Sequence, residues 1–219
     1  MQRRDFSKQL AATGIGLGLG LGLAGASRAQ GLPVAGKDYA RLRTPMPLTL
    51  PSPQKKIEVI EFFWYGCPHC FAFEPGLEAW EKTLAPDVYF HPLPFAFLGT
   101  PEQQKLFYAL EDLGLLPTMH DKVFNAIHVQ YKRLDTEAEI TDFVVANGVN
   151  RAKFTATFRS FDVATKVNRG KQISSAWGID GVPTLGVQGR WYTSPAQANS
   201  EARALQVASF LIGRARQGA

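Results

Sequence analysis

The stretch "IEVIEFFWYGCPHC" (Ile57–Cys70) narrows the folds open to this chain more than any other. Ile57–Phe63 is mostly β-branched and aromatic, the composition of a buried strand. It runs almost without a spacer into Cys67 and Cys70, which are the only two cysteines of the chain. A helical pattern follows from Pro68 to about Leu84, interrupted at Glu74-Pro75-Gly76, where a kink is expected. The chain must therefore place two thiols where a strand gives way to a helix.

Two thiols at this spacing have three possible uses. A tetrahedral zinc site needs four ligands; the cysteines supply two, and His69, His91, His120 and His128 have no finger-like spacing. His69 stands between the cysteines, poorly placed to share an ion with them, so no metal is expected. Haem attachment requires histidine directly after the second cysteine, and Phe71 stands there. A structural disulfide suits an exported protein, but so small a loop constrains the unfolded chain little.

A redox dithiol fits the junction better. A strand ending near Tyr65-Gly66 puts Cys67 at the helix N-terminus, where free N–H groups and the helix dipole favour negative charge. The N–H groups of His69 and Cys70 are expected to face the Cys67 sulfur, favouring the nucleophilic thiolate. Pro68 falls at the first helical position, where a missing N–H costs nothing. Cys70, one turn in, is the expected resolving thiol. His69, exposed beside the sulfurs, would add a hydrogen bond or positive charge, stabilising thiolate over disulfide and making the pair more oxidising.

The rest of the chain reads as a small α/β unit with a helical block inside it. A short extended piece is expected around Tyr39–Leu42 and a second strand at Val88–Pro94. Helical spacing then recurs in Leu106/Leu110/Leu113, Val123/Phe124/Ile127, Ile140/Phe143/Val144 and Phe154/Phe158/Phe161. Thr136-Glu137-Ala138-Glu139 forms a capping box. Thr184–Thr193 reads as a hairpin turning at Gln188-Gly189. A last helix opens at Ser194-Pro195-Ala196-Gln197, with Leu205, Ala208, Leu211 and Ile212 as its buried stripe.

The N-terminus reads as a targeting segment: basic "MQRRDFSKQ", the uncharged run Leu10–Ser27, then Ala29 among small residues. Cleavage is expected after Ala29, or alternatively after Ala26. "RRDFSK" resembles the twin-arginine export signal through Arg3, Arg4, Phe6 and Lys8, while Gln2 and Ser7 depart from its pattern. The 18 uncharged residues also reach the lower length limit of a membrane anchor, though their alternating glycines weaken that reading. Four cations against one acid in residues 1–29 supply +3 of the net charge of +5, leaving +2 spread along the remainder. No concentrated basic stripe indicates a nucleic-acid partner.

"EFFWYGCPHC" together with "GVPT" (Gly181–Thr184) resembles the DsbA family of thiol–disulfide oxidoreductases over residues 35–215. The resemblance implies a thioredoxin-like fold with an inserted all-helical domain. It divides the chain into a leader at 1–29, a first thioredoxin-like part at 30–98, the helical insert at 99–176 and a second part at 177–219. It implies a cis Val182-Pro183 bond beside the cysteines, with the Val182 backbone open to an extended peptide. Glu61, an acid within an apolar strand, would lie under the active site and relay protons to Cys70. Trp64, Tyr65, Phe71, Phe73 and Phe97 are candidates for an apolar substrate surface, and each is also a candidate for the core.

The function implied is export to the periplasm and donation of the redox-active Cys67–Cys70 disulfide to reduced, unfolded proteins. A membrane quinone-linked reoxidase of the DsbB type would restore it, with no cofactor or metal, and with the protein acting as a monomer. A disulfide isomerase or reductase on the same fold is the nearest rival. Residues 30–56 are too few for the separate dimerisation domain of DsbC-type isomerases. A non-redox chaperone and a glutathione-binding transferase or isomerase of the kappa type are more distant rivals.

Overall fold

The computed structural model describes residues 31–48, 50, 51, 56–95 and 101–218. The leader, with its cleavage sites and twin-arginine-like motif, and Phe97 lie outside the described residues.

The element order is β1 (Ala40–Arg41), β2 (Ile57–Phe63), α1 (Pro68–Glu81), β3 (Val88–Pro94), α2 (Glu102–Asp112), α3 (Leu116–His128), α4 (Glu137–Ala146), α5 (Arg151–Phe158), α6 (Phe161–Trp177), β4 (Thr184–Val187), β5 (Trp191–Thr193), α7 (Pro195–Ala198) and α8 (Glu201–Arg216). The five strands form one mixed sheet in the order β1-β5-β4-β2-β3. β2 and β3 are parallel and joined through α1; β2/β4, β4/β5 and β5/β1 are antiparallel. Every residue of β2 is buried, which explains why its sequence is apolar almost throughout rather than alternating. Ile57 and Val59 pack with Val207, Leu211 and Ile212 of α8. Ile60 and Phe62 instead join Leu93 and Trp177 in a second cluster.

Gly186 is required by that second cluster. A Cβ there would stand 2.6 Å from the Trp177 ring and 3.2 Å from Phe62. The hairpin turns where the sequence predicts: Val187 pairs with Trp191, and in the three-residue loop between them Gln188 and Gly189 are both left-handed (φ 53° and 61°). The Thr136–Glu139 capping box forms in full at the start of α4.

Three expectations need correction. Phe154, Phe158 and Phe161 do not share one helix: α5 ends at Phe158, and Ser160 caps a new helix by accepting from the Val163 N–H. Phe161, at the first turn of α6, is consequently 84% exposed. The last helix is also two, because Asn199 adopts a left-handed conformation (φ 64°) that stops α7, and Ser200 caps α8. In α8 the buried face is Ala204, Val207, Ala208, Leu211 and Ile212, with Leu205 at its half-buried margin. Finally, α1 runs through Pro75 as a single helix and ends at Glu81, short of Leu84.

Helices α2–α6 lie between β3 and β4 in the chain. The described residues from Pro33 onward form one compact unit. Leu106, Leu110, Phe124, Val144, Phe154 and Phe158 from the helices share one apolar cluster with Phe63, Tyr65, Cys67 and Cys70. Among the described residues, no helix is long and apolar enough to cross a membrane.

Candidate active site

The cysteine motif sits where the fold changes from sheet to helix. β2 ends at Phe63, Tyr65 and Gly66 form a turn, and the Cys67 N–H closes it on the Trp64 carbonyl at 2.9 Å. Gly66 leaves room for the Trp64 indole, which a Cβ would meet at 2.4 Å. Cys67 is the N-cap residue of α1 with extended backbone, and Pro68 opens the helix behind it. Pro68 and His69 are exposed, whereas Cys67 and Cys70 are buried, and both are free thiols.

The two thiols differ sharply in proton affinity. The Cys67 thiol is lowered from 9.0 to about 6, first by the hydrogen bond it receives from the Cys70 thiol. The N–H groups of Cys70 and His69 and the His69 charge add to this, and burial opposes it. Cys70 is pushed far up, because its S–H is engaged with Cys67, because it is buried, and because Glu61 lies nearby. One sulfur is thus held as a thiolate at neutral pH, and its neighbour keeps its proton.

Val182 and Pro183 stand across from Cys67. The Val182–Pro183 bond is cis, and the Val182 carbonyl lies 3.5 Å from the Cys67 sulfur. The β2/β4 ladder ends at the Phe62–Thr184 pair, so Val182 lies beyond it. The Thr184 hydroxyl braces this loop by donating to the Gly181 carbonyl at 2.8 Å.

Glu61 is buried in the middle of β2, opposite Pro92 and Leu185 on its two neighbours. Among the described residues, one of its carboxyl oxygens has no hydrogen-bond partner. Burial raises its proton affinity well above the ordinary carboxylate value, and Glu74, Glu81 and Cys67 raise it further.

Of the aromatic candidates, Tyr65 and Phe73 are core residues, and Trp64 and Phe71 are half-buried. Several contacts around them escape sequence reasoning. The Tyr65 hydroxyl meets His120 Nδ1 at 2.8 Å, and His120 Nε2 lies 3.4 Å from Glu74. His128 Nε2 donates to the Tyr65 carbonyl at 2.8 Å, and its ring stacks on Phe71 with centroids 4.9 Å apart. Helix α3 therefore grips the turn before Cys67 at both its side chain and its backbone. The only local sign was that His120 and His128 fall two turns apart on one predicted helix.

Comparison with known proteins shows the family. Residues 58–206 match the model of the family described as DSBA-like thioredoxin domain, a span holding all the site residues above. The chain is 42% identical to the thiol:disulfide interchange protein DsbA of Burkholderia cepacia over 188 residues, covering 85% of this chain and 88% of the relative. It is 42% identical to the protein of the same name from Bordetella pertussis, covering 99% and 100%. The crystal structure of Pseudomonas aeruginosa DsbA superposes with a TM-score of 0.79 at 38% identity, covering 85% of this chain and 96% of that one. With its α/β sheet, helices α2–α6 between β3 and β4, and a cysteine pair at the head of α1, the chain belongs to the DSBA-like thioredoxin domain family.

Proposed function

We propose that this protein is a thiol:disulfide oxidoreductase that works as a dithiol oxidase, passing a Cys67–Cys70 disulfide to reduced, unfolded proteins in the periplasm. The observation that carries this reading is the split between the two thiols, Cys67 lowered to about 6 and Cys70 pushed up, at one helix N-terminus. A thiolate that is stable when released makes the disulfide a strong oxidant.

In the proposed cycle a substrate thiolate attacks Cys67 of the disulfide. A substrate–Cys67 bond forms, the Cys67–Cys70 bond breaks, and its electron pair goes to Cys70, which takes the proton of Glu61. The second substrate thiolate then attacks its own partner sulfur, and Cys67 leaves as a thiolate. Two electrons have passed to the enzyme, and a membrane quinone-linked partner of the DsbB type removes them. The Val182 backbone holds the substrate in extended form across the cysteines, and the protein acts as a monomer. Pro68 and His69 support Cys67 by setting the helix start and by adding positive charge.

Titration of the pair against glutathione tests the assignment. The potential is expected to lie well above that of thioredoxin, which is about −270 mV; a value near thioredoxin's would overturn the oxidase reading. His69→Ala is expected to lower the potential modestly, by less than about 30 mV, the equivalent of one thiolate pKa unit. The effect is small because Cys70 and the backbone N–H groups do most of the stabilising. An unchanged potential would remove His69 from the mechanism.

The same shift sets a pH dependence. Below about 6, Cys67 is protonated in folded and unfolded chains alike and contributes nothing. Between about 6 and 9.0 only the unfolded chain holds that proton, so the reduced protein gains stability as pH rises, and the gain levels off above 9.0. The oxidised protein lacks both thiols, and without the Cys67 charge its Glu61 is raised less than in the reduced form. The stability of reduced over oxidised protein should therefore widen across this window, by at most about 1.4 kcal/mol per pH unit. Paired denaturation curves measure it, and a constant difference would contradict the depressed thiol.

A further inference from the structure

His128 closes α3 and has no task in the cycle above. Its half-buried ring lies flat on Phe71, with centroids 4.9 Å and planes 11° apart, and its Nε2 stands 2.8 Å from the Tyr65 carbonyl oxygen. A carbonyl can only accept, so Nε2 carries the hydrogen, whether the ring is neutral or charged. This hydrogen bond falls inside the turn that delivers the chain to Cys67.

That turn is a β-turn, Trp64-Tyr65-Gly66-Cys67, closed by the Cys67 N–H on the Trp64 carbonyl at 2.9 Å. Neither Tyr65 nor Gly66 has a positive φ, which is the pattern of a type I turn. A type II turn is reached by rotating only the Tyr65–Gly66 peptide through about half a revolution, and it needs a positive φ at the third residue. Most residues resist that conformation; glycine does not. Glycine is required here for a separate reason, since a Cβ at Gly66 would stand 2.4 Å from the Trp64 indole. The residue that makes room for the indole therefore also leaves the central peptide free to flip. The rest of the turn is fixed. The Tyr65 ring is buried against Phe63 and Phe124, at centroid distances of 5.1 and 5.0 Å, and the Cys67 N–H secures the far end.

We propose that His128 is a positioning residue for Cys67: by holding the Tyr65 carbonyl toward α3, its Nε2–H locks the Gly66 turn in one of two accessible forms and keeps the reacting sulfur in register with the head of α1. The inference rests on the role proposed for Cys67 as the attacked and departing sulfur.

Cys67 has an extended backbone (φ −85°, ψ 116°), so the turn before it places its sulfur as much as the helix behind it does. The Cys70 thiol and the N–H groups of Cys70 and His69 stabilise the thiolate only while the sulfur is held against them. A turn divided between two forms spends part of its time with the sulfur displaced. Linkage makes the effect reciprocal: where the thiolate prefers the locked turn, the lock favours the thiolate by the same factor. The loss of one hydrogen bond limits that factor to about tenfold.

Two substitutions separate the hydrogen bond from the ring. His128→Phe keeps an aromatic ring against Phe71 and removes the N–H, whereas His128→Gln keeps an N–H donor and removes the ring. Neither touches Cys70 or His69. In the reduced protein the assigned Gly66 amide resonance reports the turn, and ultraviolet thiolate absorbance reports Cys67. The wild type should give a single Gly66 signal and a thiolate midpoint of about 6. His128→Phe is expected to give a second or displaced Gly66 signal and a midpoint higher by about half a unit to one unit. His128→Gln should return both readouts to the wild-type values. A role confined to packing on Phe71 predicts the reverse order, with glutamine the more damaging change. Where His128→Phe does not fold, His128→Leu takes its place, being smaller and also lacking the N–H. An unchanged Gly66 signal and midpoint in the folded phenylalanine or leucine variant, or a glutamine variant that behaves as they do, would each overturn the proposal. A wild-type midpoint at the ordinary 9.0 would instead overturn the thiolate reading of Cys67, and the Gly66 signal alone would then decide whether His128 locks the turn.

Discussion

Cys67→Ser is expected to leave oxidation of a reduced protein substrate at the uncatalysed background. The attacking thiolate needs an accessible sulfur from which a stable leaving group departs, and only Cys67 has a lowered proton affinity. Cys70 cannot substitute, because it is fully buried and its thiol is held protonated. Cys70→Ser should behave differently: in reduced form it retains the Cys67 nucleophile, attacks a disulfide-bonded substrate and stalls there. The stalled product is a covalent adduct, visible by non-reducing electrophoresis and absent from Cys67→Ser. Cys70→Ala adds a quantitative check, since it deletes the largest contributor to the Cys67 shift. The thiolate titration, followed by ultraviolet absorbance, should then move upward from about 6 by at least about one unit. Equal adduct yields from both serine variants would refute the division of labour between the sulfurs.

Glu61→Leu should move stability and activity in opposite directions. The carboxyl is buried, with one oxygen unpartnered among the described residues, so folding carries a desolvation cost that an aliphatic side chain of similar size does not. Removal should stabilise the protein by about 1–3 kcal/mol, the usual penalty for an unsatisfied buried polar group. The gain has a definite pH dependence. Above the ordinary value of 4.5 the unfolded chain releases the Glu61 proton while the folded chain retains it. Wild-type stability therefore falls as pH rises from 4.5 through the raised folded value, and the advantage of leucine widens over that interval. Activity should fall by about a hundredfold, the low end for loss of a general acid. A more stable protein with unchanged turnover would show that Glu61 takes no part in the chemistry.

The parts of this fold that were legible in the sequence are those set by near neighbours along the chain. Ile57–Phe63 and Val88–Pro94 form strands with the predicted bounds, because both are enriched for burial or for sheet geometry over their whole length. Cys67, Pro68, His69 and Cys70 could be placed because cap, first-turn proline and free N–H groups all lie within four residues. The errors arose where one local signal outcompeted another. Phe154, Phe158 and Phe161 have the spacing of one helical face, but Ser160 accepts from Val163 N–H and starts a new helix between them. Asn199 tolerates the left-handed conformation that a helical pattern alone does not announce. The grip of α3 on Tyr65 could not be read at all. His120 and His128 stand 55 and 63 residues from Tyr65, and only tertiary packing brings them together.

Cys67 and Cys70 belong to the same buried cluster as Phe124, Val144 and Phe158. The cysteine pair at the head of α1 is thus continuous with the interior of the helical block. Sequence drift in α3–α5 is consequently constrained twice, by the need to fold and by the need to keep the sulfurs in register. Volume-conserving exchanges there can accumulate silently, whereas a change of even one methylene is transmitted through close-packed neighbours to the reacting atoms. Helices far from the cysteines in sequence therefore share in tuning reactivity, without any of their side chains entering the reaction.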